Sequence, residues 1–164
     1  MSLLALLLFA QNTVVPAPQA APMSGEKPEP VCVRQGDLPP VFAKWNQLPS
    51  KDAKEITVGT PFIANAVDPA AMKWATATPS TRPGKSAVAY FAIPRAGTYK
   101  VGLGSGAWVD VVSQGKAMTS VAHGHGPVCT GIRKIVDFKL AKGLYALQLA
   151  GITAPSVKVM IVPA

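Results

Sequence analysis

The sequence predicts an all-β fold: a single-domain antiparallel β-sandwich of jelly-roll type, closed by one disulfide. Three observations carry this reading. Beyond Ile56, turn signals recur roughly every 8–12 residues, the rhythm of a sandwich or barrel. Two segments alternate strictly, with Tyr99, Val101 and Leu103 set against Thr98 and Lys100, and Val136, Phe138 and Leu140 set against Arg133, Asp137 and Lys139. The 16 prolines and 14 glycines among 164 residues interrupt the chain too often for long helices. That length suits one domain and excludes a large multidomain enzyme.

The elements follow in order. Residues 1–21 read as an export signal, because Leu3 to Ala10 is an apolar run too short to span a bilayer. Ala17, Ala20 and Ala21 offer cleavage ends, although no Lys or Arg precedes the run. A buried N-terminal strand or helix is the alternative. Residues 22–55 read as a proline-rich linker and irregular cover holding Phe42 and Trp45, and residues 56–164 as the sandwich. Ile56 to Val58 and Phe62-Ile63 are short apolar pieces, and Met72 to Thr78 has the character of an edge strand ending at Pro79. Residues 79–86 form a loop. The expected strands after it are Ala87 to Ile93, Thr98 to Leu103, Ala107 to Val112, Lys116 to Ala122, Ile132 to Leu140, Leu144 to Leu149 and Val157 to Val162.

An internal echo supports the fold. Ala96-Gly97-Thr98-Tyr99-Lys100-Val101 and Lys142-Gly143-Leu144-Tyr145-Ala146-Leu147 share the form x-Gly-x-Tyr-x-aliphatic. In each, Gly takes the turn and Tyr starts the inward face of a strand. This is similar to the strand starts of jelly-roll sandwiches such as carbohydrate-binding modules and the C-terminal accessory domains of secreted peptidases. The likeness implies a fold and no function.

Cys32 and Cys129 are the only cysteines, so a bridge has one possible connectivity. An oxidising compartment favours it, with two free buried thiols as the alternative. Neither cysteine belongs to a C-x-x-C pair, which weighs against zinc. The formal charge of +8 invites a nucleic-acid reading. The lysines stand singly, Arg133-Lys134 is the only adjacent basic pair, and no aromatic-rich basic stripe exists. A solvated basic surface without a nucleic-acid partner fits better. No later segment reaches the apolar length of a membrane span.

Few residues point to chemistry. Gly102 to Gly106 is glycine-rich, but strand-like residues from Ala107 to Val112 follow where a phosphate loop needs a helix, so it reads as a bend. Ser105 lacks the spacing of a nucleophile elbow, and no close Glu pair suggests glycoside hydrolysis. His123 and His125, the only histidines, stand two apart in His123-Gly124-His125-Gly126-Pro127. On an extended backbone both imidazoles project to one side, a geometry suited to one iron, zinc or copper ion with a third ligand from Asp110 or Asp137. With Val109 and Val111 inward, Trp108 and Asp110 share the outward face, and Asp137 points outward from its own strand. Trp108, Asp110 and Asp137, together with the two histidines, are the candidate ligand surface.

Residues 96–151 carry a set of distinctive stretches: Ala96-Gly97-Thr98-Tyr99, Gly104-Ser105-Gly106-Ala107-Trp108-Val109-Asp110-Val111-Val112, His123-Gly124-His125-Gly126-Pro127-Val128-Cys129, Gly131-Ile132-Arg133-Lys134 and Val136-Asp137-Phe138. In these the chain resembles a family of short exported bacterial proteins of unsettled function, some labelled homogentisate 1,2-dioxygenase. That label implies iron on two His and one Glu. His123 and His125 supply the pair, and the last Glu in the chain is Glu55. The expectation is a periplasmic or extracellular module, non-catalytic and without a cofactor, that binds a small ligand or an envelope partner. The alternative is a mononuclear iron dioxygenase using His123 and His125.

Overall fold

A computed structural model describes residues 31–49, 55–76 and 79–164. The signal segment at 1–21 and the first part of the linker lie outside the described residues. Ten strands form two five-stranded sheets. They are β1 (Glu55–Ile56), β2 (Phe62–Asn65), β3 (Lys85–Ile93), β4 (Gly97–Leu103), β5 (Trp108–Ser113), β6 (Lys116–Ala117), β7 (Ser120–Gly124), β8 (Lys134–Leu140), β9 (Gly143–Ile152) and β10 (Ser156–Pro163). The first sheet runs β1-β3-β9-β5-β6 and the second β2-β10-β4-β8-β7. All pairings are antiparallel except β1 with β3. Successive long strands change sheets, and later strands insert between earlier ones: β9 between β3 and β5, β8 between β4 and β7. This is the jelly-roll-like wrap of the predicted all-β sandwich.

The core lies between the sheets and follows the alternation. Tyr99, Val101 and Leu103 of β4 and Val136, Phe138 and Leu140 of β8 are buried, and they meet Phe91, Ile93, Leu147 and Leu149 from the first sheet. The two Gly-x-Tyr echoes prove to be matching corners. The Tyr99 hydroxyl donates to the Arg95 carbonyl at 2.8 Å and the Tyr145 hydroxyl to the Ala141 carbonyl at 3.0 Å. Each buried ring therefore ties its strand to the backbone four residues upstream, in the manner of a tyrosine corner. The Tyr145 ring also stacks on Phe91, with centroids 5.6 Å apart.

Two segments depart from the sequence reading. The single strand expected over Lys116 to Ala122 is two: β6 pairs with β5 in the first sheet, and β7 pairs with β8 in the second. Alternation survives a change of sheet, so the pattern conceals the crossover at Met118-Thr119. The edge strand expected at Met72 to Thr78 does not form over residues 72–76. Instead, a 3-10 turn at Pro69–Ala71 leads into a strap across the outer face of the first sheet. The backbone N–H groups of Ala75 and Thr76 donate there to the side-chain Oε1 of buried Gln148, not to a neighbouring strand.

The second sheet also has a cover. Phe42 and Trp45, in and just after a 3-10 turn at Pro40–Phe42, pack edge to face and are buried with Met160, Val162 and Ile132. Phe42 lies so close to Gly102 that a Cβ there would stand 2.6 Å from its ring. The Cys32–Cys129 disulfide pins the cover's upstream end, with Cα atoms 5.5 Å apart. Beside it, the Gly36 N–H donates to the Cys129 carbonyl at 2.8 Å. Cys129 itself holds a φ of +63°, a conformation costly for a residue with a side chain.

Three outcomes follow. Cys129→Ser should lower the unfolding free energy by about 2–5 kcal/mol in denaturant titration, since the bridge closes a 97-residue separation. Thiol titration of unreduced, denatured wild-type protein should find no free thiol. Gly102→Ala should cost about 1–3 kcal/mol by displacing Phe42, and the loss should shrink markedly in a Phe42→Leu background, where the opposing ring is gone.

Candidate functional site

The sandwich is open along one side, where β5 and β6 of the first sheet face β7 and β8 of the second. The register of β7 on β8 sets which side chains enter this opening. His123 lies opposite Val136 and Ser120 opposite Phe138, with a register shift between Ser120 and Ala122. Directly opposed residues share a face, so both Ser120 and His123 point toward the gap. Their odd spacing would place them on opposite faces of a regular strand, and the irregularity at Val121 reconciles the two.

A cleft of about 230 Å³ results, lined by Trp108, Val109, Ser120, His123, Lys134 and Val136. Val109 and Val136 give it an apolar floor, and Trp108 is 40% exposed at its rim. Two cations gather on that ring. The Arg82 guanidinium carbon stands 4.6 Å from the ring centroid and the Lys134 Nζ 5.6 Å from it. Lys134 shares the inward side of β8 with Val136, and its ammonium donates to the Ala107 carbonyl at 3.1 Å. Burial, with the charge of Arg82 as a second cause, holds its pKa below the ordinary lysine value. The Lys100–Asp137 ion pair lies away from the cleft, on the outer face of the second sheet.

The structure joins some of the expected residues and separates others. Trp108 and Asp110 do share the outward face of β5, and the indole N–H donates to the Asp110 carboxylate at 3.0 Å. His123 reaches the same cleft as Trp108. Asp137 does not; its carboxylate is engaged by Lys100. His125 lies beyond the end of β7 at Gly124 and is not among the cleft residues. Among the described residues, no three His, Cys, Asp or Glu side chains cluster so as to hold a metal ion. The residues present therefore do not fit the iron site of two His and one carboxylate. Gly126 of this motif has a packing role: a Cβ there would collide with the Ile132 backbone, whereas one on Gly124 would meet open space.

Sequence reasoning missed Arg82, Ser120 and Lys134. Lys134 left a readable trace, as the one charge at an inward position of β8, in the series Lys134, Val136, Phe138, Leu140. Arg82 left none, because a loop residue carries no periodicity. A second concavity of about 330 Å³ lies on the outer face of the first sheet between Tyr90, Leu144 and Gln114. Its polar side chains include Glu55 and Gln114, and no cation lines it.

The two charges on the Trp108 ring should be coupled. Arg82→Gln should raise the Lys134 pKa toward the ordinary lysine value, because a neighbouring positive charge is removed while burial is unchanged. Side-chain NMR titration of Lys134 checks the direction; an unchanged pKa would show that burial alone depresses it. Comparison of the chain with protein-family models, curated proteins and solved structures returned no match.

Proposed function

We propose that this protein is an exported, non-catalytic binding module of the periplasm or extracellular space, and that its small ligand enters the cleft at Trp108, His123 and Lys134. One observation carries the reading. At the open side of the sandwich, an exposed tryptophan, a lysine and a histidine line a cleft with an apolar floor, Arg82 lies over the same tryptophan ring, and neither cation has a carboxylate partner among the described residues. Binding sites combine apolar walls with a few placed polar groups in this way. The Cys32–Cys129 bridge is compatible with an oxidising, exported location. The absence of a third ligand near the histidines, among the described residues, favours this reading over the iron dioxygenase of the look-alike label.

Three measurements test the proposal on the disulfide-bridged chain purified without a His tag. Metal analysis should find well under one equivalent of iron, zinc or copper, and no ring cleavage of homogentisate should appear when iron(II) is supplied. A fragment library screened by amide and indole shift mapping should give hits that move the Trp108 indole N–H and the His123 resonances and vanish in Trp108→Ala. One tightly held iron per chain, lost when His123 and His125 are both changed to Ala, would restore the enzyme. Hits confined to the Tyr90–Leu144 groove would move the site.

A further inference from the structure

We propose that the cleft selects an organic carboxylate, its oxyanion held by Arg82 and Lys134 at the Trp108 ring and its short apolar body lying against Val109 and Val136. This rests on the cleft being the binding site and adds the chemistry of the ligand.

The argument begins with charge. Arg82 and Lys134 both lie over the Trp108 ring, and they are close enough that the charge of Arg82 helps to lower the Lys134 pKa. Proteins ordinarily relieve such a pair with a carboxylate. Here Asp110, whose carboxylate accepts the indole N–H at the edge of the ring, forms an ion pair with neither cation. Lys134 is further constrained. Its ammonium is partly withdrawn from water and finds one acceptor among the described residues, the Ala107 carbonyl, for three N–H donors. An incoming oxyanion satisfies the remaining donors, neutralises the repulsion and meets the planar donor fork of Arg82. Ser120 adds a hydroxyl at the cleft wall.

The rest of the ligand follows from the floor. Val109 and Val136 offer no polar side-chain group, so a body rich in hydroxyls would lose its water there without replacement. A bare inorganic anion would leave the same floor uncovered. A carboxylate carrying a few methylenes fits both halves, and the volume of about 230 Å³ limits it to a small molecule. The basic character of the whole protein, +8 in formal charge, speeds the encounter with such an anion and makes it sensitive to salt.

The test titrates the isotope-labelled, disulfide-bridged protein with sodium pentanoate, with pentanamide as the uncharged analogue of equal shape, and with inorganic phosphate. Pentanoate should move the Trp108 indole N–H and raise the Lys134 pKa, more weakly at high salt. Pentanamide and phosphate should bind at least roughly tenfold more weakly, as expected when charge-assisted hydrogen bonds or the apolar contact are lost. Arg82→Gln and Lys134→Met should each weaken pentanoate by a similar factor, and Lys134→Arg should retain it. Amide spectra with native dispersion confirm that the variants fold. Equal binding of pentanamide and pentanoate overturns the anion and leaves the cleft as a neutral site. Tighter binding of phosphate overturns the carboxylate. Silence from all three probes overturns this inference, while the binding-module reading is decided separately by the fragment screen and the metal analysis.

Discussion

Two interior strands, β9 of the first sheet and β10 of the second, are dry on both faces over much of their length, and the rest of the fold answers to that constraint. From Tyr145 to Ala150 and from Val159 to Val162 every side chain is buried, whichever face it points to. A two-layer sandwich buries one face of each sheet, so the outer faces of these strands need further cover. The chain supplies it twice from irregular segments. Phe42 and Trp45 lie over Met160 and Val162, and the strap at residues 72–76 lies over Gln148. Cover without strand pairing must satisfy its own backbone groups. Gln148 does this for the strap by accepting two N–H bonds. On the other cover, the Lys158 ammonium donates to the Trp45 carbonyl at 2.9 Å while lying over its ring.

Close approach is what these covers demand of the sequence. Gly102 clears the space that Phe42 fills, and Gly36 lies against the Val128 backbone beside the disulfide. The bridge then acts on a segment already packed through Phe42 and Trp45, so it restrains the upstream end and does not create the contact. The tyrosine corners serve the same end inside the sandwich. Each fixes where a strand begins, Tyr99 for β4 and Tyr145 for β9, and the register of both sheets follows from those starts.

Strand existence was legible wherever one face is wet, because the alternation of Tyr99, Val101 and Leu103 or of Val136, Phe138 and Leu140 reports the face directly. It was ambiguous where both faces are dry: an apolar run such as Leu144 to Ile152 signals a strand without saying what covers it. The strap at Met72 to Thr76 carries the residues of a poor strand, and its true partner is one glutamine side chain on another strand, which no local pattern can reveal. The site was half legible. Trp108 and Asp110 stood out as outward polar and aromatic positions on β5, and His123 as one of two histidines. The partnership of Trp108 with Arg82 and Lys134 joins a loop to strands of different sheets. It depends on how the sheet edges meet, a three-dimensional fact with no counterpart in spacing.

The place of the cleft follows from the connections. On the side where β2 and β3 lie, the chain stitches the sheets together, because Val67 bridges to Ser86 of β3 and the Ala66 N–H donates to the Pro155 carbonyl of the loop before β10. On the opposite side, only the short run from β6 to β7 crosses, anchored by the Met118 N–H on the Val111 carbonyl at 2.7 Å. Neither β6, with two residues, nor β7, exposed along its whole length, closes the core there. The inward residues Val109 and Val136 are therefore reached from outside, between strands whose ends carry Trp108, His123 and Lys134. Val109 and Val136 form a buried, apolar floor, and the Trp108 ring at its rim takes up part of the charge of Lys134 and Arg82. The proposed amphipathic anion would complement both the floor and the charge, which is why this side of the sandwich, and not the larger groove at Tyr90 that no cation lines, is the place to look for the ligand.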